Sequence, residues 1–176
     1  MNIRNATDQD QISIDRIYVS AFPEGEGEIV SKIALGLLSE STKSAIISLV
    51  AEVDGNVVGH VAFSPIKIEH NLKCLAYILT PLAVLPEYQK QSIGSKLVES
   101  GIKKLSDIGL NYIFVYGDPK YYGRFGFFAN VAESFKVPYK LEFPFGWLGL
   151  VLTPCEISQA PATIHCVSTL SDPEIW

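Results

Sequence analysis

Long hydrophobic runs are missing from this sequence. The longest apolar stretch, 74–85, falls short of the roughly 20 residues that a membrane-spanning helix needs, and Thr80 and Pro81 interrupt it. The amino terminus, MNIRNATDQDQ, lacks the apolar core of a secretory signal. Cysteine is scarce: Cys74, Cys155 and Cys166 are odd in number and lack CxxC spacing, which argues against both a disulfide framework and a zinc site. Positive charge is also in deficit. Against 19 Asp and Glu stand 14 Lys and Arg, a net charge of −5, so the basic face that a phosphate backbone demands is not expected. We therefore expect a reduced, soluble, cytoplasmic protein with no membrane, metal or nucleic-acid partner.

What is present suits a packed core. Hydrophobic residues make up 48% and aromatics 11% of 176 residues, about the size of one domain. No repeat, low-complexity tract or second core stands out, so 1–176 reads as a single domain with a core over about 1–130 and an extension over 131–176. Thr7 and Asp10 have the spacing of a capping box ahead of a helix over 12–22. Residues 24–28 alternate glycine and glutamate and read as an acidic loop before a second helix over 29–38. Asp54-Gly55 separates two β-rich runs, 45–53 and 56–68, the strongest short-range hairpin signal. A third strand follows over 74–85, making a meander whose central run is apolar on both faces and so calls for helices on both sides. Ile93, Leu97, Val98, Ile102, Leu105 and Ile108 then mark one helix face that closes at Gly109. A strand over 111–116 makes this a parallel crossover. A short helix over 120–124 and at least one strand, near 148–155, complete a mixed α/β sheet in the order βααβββαβαβ.

One stretch carries chemistry. After Leu82-Ala83-Val84-Leu85-Pro86, the loop Gln89-Lys90-Gln91-Ser92 delivers the chain into the long helix at Ile93-Gly94-Ser95. The first N–H groups of a helix have no internal partners and carry the positive end of its dipole. Phosphate oxygens suit such a corner when side chains leave the backbone bare. Gly94 does so, Ser92 and Ser95 are nearly as small and offer hydroxyls, and Lys90 adds a charge. A plain loop capped by Ser92 is the alternative on spacing alone. The Gly-x4-Gly-Lys-Ser/Thr pattern of a Walker-type loop is absent.

Gln89-Lys90-Gln91-Ser92-Ile93-Gly94 resembles the acetyl-CoA-binding signature of the GCN5-related N-acetyltransferase (GNAT) superfamily, Gln/Arg-x-x-Gly-x-Gly/Ala after a Val-x-Pro strand end. The later segment Gly117-Asp118-Pro119-Lys120-Tyr121-Tyr122-Gly123-Arg124-Phe125-Gly126-Phe127 resembles the family's Tyr…Gly-Phe element. With the His60…Ser64-Pro65 strand, it points to a bacterial subgroup of predicted acetyltransferases with a C-terminal extension. The resemblance implies a GNAT-like acyltransferase fold with acetyl-CoA as co-substrate, and transfer of an acetyl group to a primary amine of a small molecule or peptide. It also implies residue roles. Backbone groups of Leu82, Ala83 and Val84 would pair with the pantetheine arm and polarise the thioester. Gln89, Lys90, Gln91, Ser92, Ile93, Gly94 and Ser95 would hold the pyrophosphate, and Asp118 and Tyr122 would border the cofactor. Tyr122 would meet the departing thiolate. A phenol near pKa 10 gives a proton to a thiolate near 8.5 only uphill, by about 2 kcal/mol, so the expected role is hydrogen-bond donation. One departure stands out, because the signature's first glycine is Ser92 here. A non-catalytic acyl-CoA-binding module is the second reading that this departure suggests.

The acceptor must lose a proton, which for a lysine-like amine at pH 7 costs about 4.6 kcal/mol. Glu24, with Glu26 and Glu28, lies where the family's acceptor loop falls, and Glu24 is the candidate base; a solvated loop is the bland alternative. His60 on a central strand fits a hydrogen-bonded core histidine better than a base, and Tyr121 fits a core aromatic. Phe143, Phe145 and Trp147 among the prolines of the extension either wall the acceptor pocket or form a surface for a partner or a second copy.

Overall fold

The computed structural model describes residues 1–40, 42, 44–157 and 161–176. The strands β1 (Asn2–Asn5), β2 (Ile47–Val53), β3 (Asn56–Ile68), β4 (Asn71–Val84), β5 (Tyr112–Tyr116) and β7 (Trp147–Val151) follow one another in the sheet in that order, with β8 (Ala162–His165) pairing β3 and β6 (Phe135–Lys136). This is the mixed α/β architecture expected from the sequence. The chain divides into two compact units, one of Met1–Phe63 and Thr80–Ile102, the other of Ser64–Leu79 and Lys103–Trp176.

The first unit opens with β1 (Asn2–Asn5), which runs antiparallel to β2 (Ile47–Val53). Between them lie α1 (Gln11–Ala21) and α2 (Glu26–Ser39). The capping box is present: Asp10 accepts from the Thr7 N–H at 2.8 Å and from its hydroxyl at 3.0 Å. Glu26 and Glu28 do not belong to an acidic loop, because α2 begins at Glu26. Gly25, at φ 88°, donates its N–H to the Glu28 carboxylate at 3.1 Å, and acidic residues suit the positive end of a helix. Gly27 lies against α1, where an added Cβ would sit 2.8 Å from the Val19 Cα. The Asp54-Gly55 turn has both residues in the left-handed region (φ 49° and 78°) and joins β2 to β3 (Asn56–Ile68) with Val53 opposite Asn56. Consecutive residues Leu49, Val50 and Ala51, and again Val61, Ala62 and Phe63, are buried, so both sheet faces are covered. On one face Phe63 packs onto Gly101 of α3 (Ile93–Asp107), where any side chain would meet the ring.

In the second unit, β4 (Asn71–Val84) pairs parallel with β5 (Tyr112–Tyr116) from Ala76 with Tyr112 to Leu79 with Val115. The strand–helix–strand order therefore gives the parallel pair read from the sequence. The short helices α4 (Pro119–Tyr122) and α5 (Ala129–Ala132) follow. The extension, expected to hold at least one strand, holds three among its described residues. It supplies β6 (Phe135–Lys136), β7 (Trp147–Val151), antiparallel to β5, and β8 (Ala162–His165), which pairs with β3 and β6. Phe114 stacks on Trp147 at 5.1 Å and meets Phe135 edge-on at 4.7 Å, so aromatics of the extension join this unit's core.

The expectation of reduced cysteines is corrected for two of the three. Cys74 and Cys155 are disulfide-bonded across 81 residues of sequence with Cα atoms 5.9 Å apart, while Cys166 is a free thiol. Local spacing holds no trace of a pairing that tertiary structure creates. Among the described residues no helix is long and apolar enough to cross a membrane, and no cluster of His, Cys, Asp and Glu could hold a metal ion.

Candidate functional site

The corner flagged by the sequence lies in the first unit. After the parallel ladder of Ala76–Leu79, β4 runs on through Thr80–Val84. Ala83 and Val84 are buried and Leu82 is half-buried, so what this segment can offer a ligand is mainly backbone. Leu85 then donates its N–H to the Val58 carbonyl at 2.9 Å, and a single 3₁₀ turn spans Pro86–Tyr88. The Gln89 side chain folds back and donates its amide to the Val84 carbonyl at 3.0 Å. That bond ties the loop to the strand end and spends the side chain on structure.

Lys90 (φ 60°) and Ser92 (φ 62°) both adopt the left-handed conformation before α3 begins. This accounts for the glycine that the acetyl-CoA signature carries at the position of Ser92, since only glycine enters that region without strain. Serine there costs about 1 kcal/mol or more. Gln89, Lys90, Gln91 and Ser92 are exposed, Gly94 and Ser95 are half-buried, and Ile93 is in the core. The Ile93 side chain therefore anchors the corner, and only its backbone could serve a ligand. Gly59 of β3 lets Ile93, Leu97 and Val84 close over it; a Cβ there would lie 3.0–3.3 Å from all three side chains. A solvent-facing backbone corner, small residues in the first helical turn and a nearby Lys90 fit an anionic diphosphate.

Tyr122 lies in the second unit. Asp118 caps α4 by accepting from the Lys120 N–H at 2.9 Å, and Pro119 follows at the first helical position. The Tyr122 ring lies against Gly117, where a Cβ would come within 2.5 Å of Cε2. Tyr121 and Phe127 meet it edge-on at 5.0 and 5.9 Å. Some of its surface remains accessible, but the crowding around the ring pushes the phenol pKa up, and Tyr121 adds to the shift. Tyr121 is itself covered by the Arg124 guanidinium, 4.5 Å from the ring centre, as a packing aromatic would be.

Glu24 is exposed in the turn between α1 and α2. His60 is fully buried between two hydroxyls, with Tyr18 Oη 2.7 Å from Nδ1 and Ser48 Oγ 2.7 Å from Nε2. Burial holds its pKa down to about 3, so it stays neutral as a core histidine. Sequence reasoning missed Tyr116, whose hydroxyl accepts the Phe143 N–H at 2.7 Å and so ties the extension to the end of β5. Its place directly before the Gly117 motif was the only available hint.

A model of the acetyltransferase (GNAT) domain matches residues 44–128. A crystal structure of a GNAT family acetyltransferase from Brucella melitensis, in complex with acetyl-CoA, is 33% identical over 97% of this chain and 97% of that one, with a TM-score of 0.68. The chain belongs to the GNAT family. Its fold is also that of the GNAT family N-acetyltransferase YhbS from Escherichia coli, solved with CoA, at a TM-score of 0.82 and 24% identity over 97% of this chain and 92% of the other. In sequence, this GNAT chain is 36% identical over 111 residues to YjhQ of Escherichia coli (strain K12), an uncharacterised N-acetyltransferase. The alignment covers 62% of this chain and 61% of YjhQ, so the match spans about three fifths of that relative.

Proposed function

We propose that this chain is an N-acetyltransferase that moves an acetyl group from acetyl-CoA to a primary amine of a small molecule or peptide, with 1–176 acting as one domain. The observation that carries the reading is the exposed loop 89–92, left-handed at Lys90 and Ser92 and leading directly into the small residues Gly94 and Ser95 at the start of α3. Bound acetyl-CoA would supply the thioester. The Gln89 N–H is taken by the Pro86 carbonyl at 3.2 Å, so the main-chain amides from Lys90 to Ser95 would hold its diphosphate, with Lys90 adding charge. Backbone groups of Leu82, Ala83 and Val84 would align the pantetheine arm and polarise the carbonyl; one such donor contributes on the order of 2.7–4 kcal/mol. Asp118, by capping α4, fixes the element that carries Tyr122. Tyr122 would donate a hydrogen bond to the departing thiolate, and a phenol pushed up by burial keeps its proton for that purpose. Glu24 would take the amine proton and attract the cationic acceptor.

The test follows free thiol while the protein is incubated with acetyl-CoA and a panel of amines. Release above background supports the reading, and Tyr122→Phe should lower kcat by about tenfold or more with little change in acetyl-CoA affinity. Ser92 favours a second reading, a non-catalytic acyl-CoA-binding module, because a Cβ stands at the signature's glycine. In that case acetyl-CoA raises the melting temperature, no amine releases thiol, and a bulky residue at Gly94 abolishes the shift.

A further inference from the structure

Resting on the acetyltransferase reading above, we propose that the turn Phe143-Pro144-Phe145 is an apolar subsite for the acceptor's side chain, and that the preferred acceptor is an arylalkyl amine. Both rings stand in solvent, 52% and 67% exposed, with centroids 5.9 Å apart and planes tilted by 58°. Their placement is built. The Phe143 N–H donates to the Tyr116 hydroxyl at 2.7 Å, the Gly146 N–H closes the turn on the Phe143 carbonyl at 2.8 Å, and the Gly117 N–H donates to the Gly146 carbonyl at 2.9 Å. Gly146 also lies close under Tyr116, where a Cβ would be 3.1 Å from the Gly117 carbonyl oxygen and 3.2 Å from the Tyr116 ring. The turn is thus clamped to the end of β5. Gly117, the residue it holds, is the one against which the Tyr122 ring rests. Two exposed aromatic rings fixed beside the peptide that supports the proposed thiolate donor suit the apolar portion of an incoming amine.

The experiment titrates CoA-saturated protein with 2-phenylethylamine and with putrescine by calorimetry, and then follows thiol release with acetyl-CoA. We expect 2-phenylethylamine to bind about tenfold more tightly than putrescine, and Phe143→Ala with Phe145→Ala to erase that preference while CoA affinity is unchanged. Tyr116→Phe, which keeps both rings but frees the Phe143 N–H, should lose part of the preference. It acts as a positioning residue, so the loss should appear in KM for the arylalkyl amine and not in kcat. Equal binding of the two amines, or an unchanged preference in the double variant, overturns the subsite. So does a dimer that the double variant dissociates while amine binding stays intact, because the rings would then serve a second copy. Selective binding without thiol release supports the subsite and fails the acetyltransferase reading, so the two failures are distinct.

Discussion

Asp10 shows how much a single buried carboxylate can do. It accepts from two Arg4 guanidinium nitrogens at 2.8 Å each, and from both the N–H and the hydroxyl of Thr7. Arg4 chiefly, then the Thr7 bonds, outweigh burial and bring its pKa from 3.8 down to about 2. A depressed carboxylate stabilises the fold above its unfolded value and loses that contribution as pH falls through the folded one. Asp10→Asn should therefore cost about 2 kcal/mol at pH 7. The difference between variant and wild type should shrink as urea melts move from about pH 4 towards pH 2. At Ser92 the residue scale touches function. Its φ of 62° is strained for serine, and Ser92→Gly removes the strain but loosens the unfolded chain. These terms nearly cancel, so melts should shift by less than about 1 kcal/mol. Acetyl-CoA affinity, measured by calorimetry, should rise because the Cβ no longer crowds the corner.

At the scale of elements, glycine does packing work that local patterns misreport. Gly27 sits in the first turns of α2 with Val19 Cα and the Tyr18 carbonyl oxygen where its side chain would be, at 2.8 and 2.9 Å from an added Cβ. Those atoms are backbone, and α1 can yield only by moving as a whole. Gly27→Ala should destabilise by about 1–3 kcal/mol, the range for overpacking, and a urea melt will show it. The same glycine made 24–28 look like a loop in the sequence, because its reason for being there is α1 and not a turn. Elements with their own periodicity or turn were legible: α1, the Asp54-Gly55 hairpin and α3 fall within about two residues of expectation. The loop from Gln89 to Ser95 was legible for the same reason, being contiguous. The two-residue β6 and four-residue β8 were not, since β8 exists by pairing with Lys67 and Ile68 nearly 100 residues earlier. The Tyr116–Phe143 bond escaped for that reason too: it depends on two strands being side by side.

At the scale of the molecule, the cysteines couple redox state to stability. Cys74 lies near the start of β4, and Cys155 lies on the segment that leaves β7. That segment is also held by hydrogen bonds: the Tyr112 hydroxyl donates to the Cys155 carbonyl at 2.8 Å, and the Asn71 amide donates to the Glu156 carbonyl at 2.8 Å. The folded state therefore keeps the two sulfurs near each other whether or not they are bonded. The bond itself acts mainly on the unfolded chain, by closing a loop spanning 81 residues of sequence. Chain entropy puts its worth at about 4 kcal/mol, towards the upper end of the usual 2–4. For a chain of this length each kcal/mol moves the melting temperature by about 2–4 °C, so a reductant should lower Tm by roughly 8–16 °C. Cys155→Ser should melt at the reduced value with or without reductant. Alkylation supplies the independent count, with one reactive thiol per unfolded chain before reduction and three after. In the folded protein that one thiol should react slowly, because burial pushes Cys166 up to about 12 and little thiolate forms near neutral pH. Three thiols without reduction, and a Tm indifferent to reductant, would show that the Cys74–Cys155 bond does not form in solution.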